Sequence, residues 1–158
     1  MTDIYQAILA DHKRHRELLD KIADTSGDSE QRRKFWDELY YDVSAHAAAE
    51  EETFYSKLLE EPHGQDKARH SVHEHQEMDD IMIELSEMDF SSPGWLARFK
   101  TLKHDYEHHM EEEENEIFNA AKKLFSDAEE TEFAENFAKR KAAEFKLVDE
   151  KAKEKMEE

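Results

Sequence analysis

Two histidine–glutamate pairs occupy positions where apolar residues would be expected. His46 and Glu50 are four residues apart, as are His109 and Glu113. On a helix each pair therefore shares one face, a turn apart. Leu39, Val43 and Phe54 continue the face of the first pair, and Tyr106 and Ile117 that of the second. A carboxylate buried without a partner is very costly, so such groups are paired or bind metal. A neutral imidazole beside a carboxylate on an apolar seam suits a divalent or trivalent cation, and the carboxylate can bridge two ions. His12 lies in phase with Ile8, Leu19 and Ile22, and His75 with Met78, Met82 and Leu85. Either alone reads as readily as a hydrogen-bonded core histidine. All six residues together point to metal. His15 flanks His12 on the inner face and is the one further ligand candidate.

Spacing alone does not single these residues out. His70/Glu74, His73/Glu77 and His108/Glu112 have the same spacing because glutamate is so common here. Helical phase separates them. At about 100° per residue, His73 falls about 200° from His75 and His70 about 140°. His104 and His108 are at least about 100° off the His109 seam. His63 sits in a Pro-Gly turn. These five are expected at the surface.

A gapless shift of 63 residues maps His12 onto His75, His46 onto His109, and Glu50 onto Glu113. It also maps Glu51 onto Glu114, Leu19 onto Met82 and Leu39 onto Leu102. The chain thus reads as two equivalent helical hairpins. The same shift sets His15 against Met78, and a thioether is a poor ligand for a hard cation. A seventh protein ligand could therefore come from His15 but not from Met78, and an open position is expected on the Met78 side.

The elements that would carry these residues are long helices. Three glycines and two prolines are too few for a turn-rich fold. Apolar periodicity predicts helices from about residue 3 to 24, from Asp28 to Pro62, from 65 to 88 and from Pro93 to 124, then a fifth after Ser126. Asp28 with Gln31 and Ser126 with Glu129 have the spacing of capping boxes, and Ser92-Pro93 suits a helix start. The fifth helix carries Phe133, Phe137, Phe145 and Val148 on one stripe, with a polar end from Asp149 expected to fray. The expected division is a bundle over 1–125 and a C-terminal helix with a polar tail over 126–158.

Composition bounds the partners. The absence of cysteine excludes disulfides, thiolate catalysis and Cys-based metal sites. A net charge of −19 repels phosphate backbones and anionic lipids, so neither nucleic acid nor membrane is an expected partner. No apolar run approaches the ~20 residues of a membrane span. The start lacks a basic region followed by an apolar one, so a cytoplasmic protein is expected.

The runs Leu9-Ala10-Asp11-His12, His46-Ala47-Ala48-Ala49-Glu50-Glu51, Glu74-His75 and His109-Met110-Glu111-Glu112-Glu113-Glu114 resemble the hemerythrin-like, HHE cation-binding domain. The resemblance covers about residues 4–125. It implies an all-α, up-down-up-down four-helix bundle around two non-haem iron ions, oxo- or hydroxo-bridged. His12, His46, His75 and His109 would be terminal ligands, and Glu50 and Glu113 carboxylate ligands. The chain departs from the oxygen-carrying members. They have a second helix-3 histidine where Ser71 or Asp79 stands, and an aspartate where Glu114 stands. The open coordination this leaves permits reaction with, or sensing of, dioxygen, peroxide or nitric oxide. An enzymatic version would scavenge peroxide or nitric oxide, or oxidise ferrous iron. Tyr106 is either a donor near the metals or, more simply, a core aromatic. The alternative is a regulatory or interaction module with a structural metal, joined to a protein partner or a second copy through the C-terminal helix. Ferritin-like sites need Glu-x-x-His pairs on helices, and the seam pairs here run the other way.

Overall fold

The computed structural model describes residues 2–157, with side chains through residue 147. It is all-helical, with four helices in a bundle and a fifth laid along it. Helix α1 (Ile4–Ala23) is capped by Asp3, which exchanges reciprocal hydrogen bonds with Gln6. Helix α2 runs Glu30–Glu50, passes through a π turn at Glu51–Tyr55 and closes with Ser56–Leu59. Helix α3 is Gln65–Glu87. Helix α4 runs Pro93–Glu112, passes a second π turn at Glu113–Ile117 and ends with Phe118–Leu124. Helix α5 is Asp127–Glu157.

The expected caps hold at two starts of three. Ser92 accepts from Gly94 N at 3.2 Å with Pro93 in the first turn. Ser126 and Glu129 bond reciprocally at 3.0 and 3.2 Å. At α2 the cap is Ser29, which accepts from Arg32 N at 3.1 Å, rather than Asp28. Gly27, at φ 64°, turns the chain just before, the cap falls one residue later than expected, and Asp28 instead holds the Arg33 guanidinium. The polar end expected to fray from Asp149 is helical through Glu157. Val148, expected on the inner stripe, lies outside the residues whose side chains are described.

Neighbouring helices pack in the order α1–α2–α3–α4 and back to α1, while α5 lies against α1 and α2. Two apolar clusters form. One gathers Leu19, Trp36, Leu39, Leu85, Trp95 and Phe99 at the end where α1 meets α2 and α3 meets α4. The other gathers Ile4, Tyr5, Ile8, Phe54, Tyr55, Leu58 and Phe118 at the opposite end, completed by Phe133 and Phe137 of α5. On α2 the structure seats Trp36, not Phe35, in the first cluster: Trp36 is 2% exposed and Phe35 only partly buried. Both flank the seam three and four residues before Leu39, and the larger ring fills the space against Trp95. Between the two clusters every helix of the bundle presents polar side chains inward.

Candidate metal centre

That middle layer holds His12 and His15 from α1, His46 and Glu50 from α2, His75 from α3, and His109 and Glu113 from α4, all buried. Two groups of four have ligand atoms that all lie within 4.8 Å of one another. The first is His12, His46, Glu50 and Glu113; the second is Glu50, His75, His109 and Glu113. The two glutamates belong to both.

Each of the four histidines in these groups turns Nε2 inward and Nδ1 outward. His12 Nε2 lies 3.1 Å from Glu113 Oε1, His46 Nε2 3.0 Å from Glu50 Oε2, and His75 Nε2 3.2 Å from Glu50 Oε1. His109 Nε2 is 3.1 Å from His75 Nε2 and 3.7 Å from Glu113 Oε2. Outward, His46 Nδ1 meets Asp11 at 2.7 Å, His75 Nδ1 meets Glu51 at 3.1 Å, and His109 Nδ1 meets Glu74 at 3.0 Å. His12 Nδ1 faces Glu114 at 3.6 Å. A carboxylate on Nδ1 fixes the tautomer, aims the ring and raises the basicity of Nε2, as around histidines that bind metal. These four outer carboxylates were not foreseen as a set. The signal was present, since the 63-residue shift maps Asp11 onto Glu74 and Glu51 onto Glu114.

Both π turns start at or just after the glutamate of a His-x-x-x-Glu pair. Such turns are rare and collect at functional sites. They displace backbone hydrogen bonds, and side chains take up carbonyls nearby. Thr53 Oγ1 donates to Ala49 O at 2.7 Å, and Asn119 donates to Asn115 O at 2.5 Å. The first π turn also brings Tyr55, fully buried, to donate its hydroxyl to Glu113.

The donor set fits a cation on direct grounds. Glu50 and Glu113 are 0% exposed, and both oxygens of Glu50, one of Glu113 and both ring nitrogens of His12 lack a hydrogen-bond partner. Native proteins seldom leave such atoms buried and unsatisfied. Unless an ion neutralises them, the two carboxyls repel. Burial pushes both up; the imidazoles of His46 and His75 close by bring Glu50 back well down, while Glu113, facing Glu50, stays well above the carboxylate range. Burial works against His75 too, yet Glu50 and Glu51 raise it to about 9.

His15 is brought into neither group. Both ring nitrogens are taken, Nδ1 by Tyr106 Oη at 2.6 Å and Nε2 by Asp42 at 2.8 Å. Burial pushes it down to about 4, so it is neutral near pH 7. Of the five histidines expected outside, His70, His73, His104 and His108 are more than half exposed on their side chains, and His63 is exposed. His70 does approach Glu74 and Glu112, a shallow group at the surface. A cavity of about 400 Å³ opens between α2 and α3 and reaches His46, His75 and Tyr106. Val43, Ala47, Ala48, Met78 and Met82 line it, so it lies on the Met78 side.

Bundle, buried donor set and paired histidines define a helical metal-binding protein. A family model, the hemerythrin HHE cation binding domain, matches residues 3–121, and the chain belongs to that family. A crystal structure of a hemerythrin HHE cation binding domain-containing protein from Mycobacterium kansasii is similar at TM-score 0.86 and 25% identity, over 97% of this chain and 93% of that one. A DNA nickase of Nostoc sp. is 26% identical over 145 residues. The match takes in 92% of this chain but only 40% of the nickase. Among the described residues no helix is long and apolar enough to cross a membrane.

Proposed function

We propose that the chain is a non-haem di-iron protein that reacts with or senses dioxygen, peroxide or nitric oxide. His12 and His46 would hold one ion, His75 and His109 the other, and Glu50 and Glu113 would serve both. The observation that carries this is the pair of buried four-ligand groups sharing two glutamates. Iron would supply redox chemistry and an electrophilic centre for small ligands. The chain's own residues do the rest. Asp11, Glu51, Glu74 and Glu114 aim the imidazoles, and the cavity beside Ala47 and Ala48 suits a small reactant.

The reading of α5 as a docking helix for a partner has less support. Its Phe133 and Phe137 are buried in the bundle's own core, and Phe145 stacks on Tyr41. DNA nicking is the activity named for a protein of which this chain matches 40%, and a net charge of −19 opposes a phosphate backbone. Nicking is therefore no part of the proposal.

The test is iron and protein quantitation on protein purified with iron, joined to absorption spectra before and after dithionite and after air. Two irons per chain, with near-ultraviolet and visible bands that bleach and return, are expected. A colourless site that holds one ion, or none, would sink the reading. A colourless site filled by two redox-silent ions would favour a structural metal.

A further inference from the structure

The two halves repeat their ligands but not the charges around them. Beside His46, Asp11 accepts from Lys141 Nζ at 2.8 Å to each oxygen, and Arg14 approaches it at 3.1 Å. Beside His12, Glu114 is gripped by the Arg16 guanidinium, with one bond of 3.2 Å and a second, shorter one. Asp42 joins this side as a third anion, shared by Arg14, Lys141 and His15. Three cations thus face three carboxylates. Beside His109, Glu74 has His70 at 3.6 Å. Beside His75, Glu51 is half-buried, with Asp79 as an acidic neighbour. Among the described residues neither Glu51 nor Glu74 pairs with a lysine or arginine. The repeat shows how this arose in the sequence: Arg14 maps onto Glu77 and Arg16 onto Asp79, while Lys141 comes from α5, outside the repeat.

We infer that these cations make the two metal positions unequal, so that the His75–His109 position takes the first ion and the His12–His46 position the second, more weakly. The inference rests on the dinuclear reading. A bare carboxylate on Nδ1 makes an imidazole a better donor. A cation held on that carboxylate takes back part of the effect and repels the incoming ion, most of all Lys141, whose side chain is 14% exposed, while Arg14 and Arg16 nearer solvent are screened more. Lys141 acts here through Asp11 and His46, as a positioning residue.

The experiment is calorimetric titration of the metal-free full chain with cobalt(II) without oxygen, followed by a count of bound metal. Wild type is expected to bind two ions in two steps. Lys141→Met should tighten the weaker step about tenfold, the scale of outer-partner effects on metal affinity, and leave the stronger within about twofold. Lys141→Arg should restore the wild-type pattern. A merely structural lysine predicts the reverse, because a loosened α5 would weaken both steps. Arg16→Gln, on a more exposed side chain, should tighten the weaker step too and stands in if Lys141→Met does not fold. Two bound ions with the weaker step unchanged or weakened in the folded variants would overturn the inference alone. One ion per chain in wild type would overturn the dinuclear reading and the inference with it.

Discussion

The polar middle layer and the apolar clusters on either side of it are built from the same four helices and obey opposite rules. In the clusters every buried group gains by leaving water. Trp36, Trp95 and Phe99 meet edge-on or stacked, and Trp95 Nε1 finds Leu85 O at 2.9 Å. In the middle layer Glu50 and Glu113 lose solvation and oppose each other, with several atoms unsatisfied. The ends hold the bundle together; the middle is held in place by them. The contrast indicates that the layer is kept for what it binds, since a bundle without it would be the more stable one.

The sharpest way to break the comparison is Trp95→Ala. It should cost about 3–5 kcal/mol, the range for truncating a large buried aromatic. Denaturant titration of metal-free protein measures it, and a cost near zero would deny the clusters their role. Next comes metal. An ion that binds only the folded state adds about 2.7 kcal/mol at a hundredfold excess over its Kd. Melting temperature should therefore rise with metal concentration, and a metal-free form melting as high as the loaded one would contradict the cost assigned to the layer. Glu113→Gln should separate binding from stability. In the fold Glu113 is held well above the ordinary carboxylate range, so its charging costs stability as pH rises past that range. The metal-free variant should melt a few degrees higher than wild type at neutral pH while losing at least one ion. A variant that melts lower in metal-free form would show that the repulsion has been misjudged.

The smallest effect concerns His15, which belongs to the layer but is satisfied on both sides. Its folded value of about 4 lies below the ordinary 6.5. Such a histidine adds stability that is full above about 6.5 and is lost as pH falls toward about 4, because the unfolded chain takes up the proton first. His15→Gln should flatten stability over that window, read as melting temperature at half-unit steps of pH. An unchanged slope would exclude His15 as a contributor.

Much of this was legible in the sequence, for one reason. His12, His46, Glu50, His75, His109 and Glu113 are polar residues at apolar phase, and burial makes that anomaly meaningful. The caps at Ser92 and Ser126 are local signals and read directly. What stayed hidden has physical causes too. Asp11, Glu74 and Glu114 stand in a chain with 41 acidic residues, where one more carboxylate near a histidine carries little weight. The π turns shift a hydrogen-bond register without changing composition. Lys141 meets Asp11 across 130 residues, beyond any periodic pattern.

The shared glutamates have a consequence for ancestry. Each 63-residue half brings two histidines to one four-ligand group and one glutamate to both. That is what two identical hairpins produce on meeting around a two-fold axis, where residue i of one copy touches j of the other and j touches i. A single small gene could have made such a centre as a symmetric pair, with no second set of ligands to invent. Joining the copies end to end would then have let each drift alone. Arg16 could diverge from Asp79, and a fifth helix could bring one lysine to one side, only once the copies had ceased to be the same molecule.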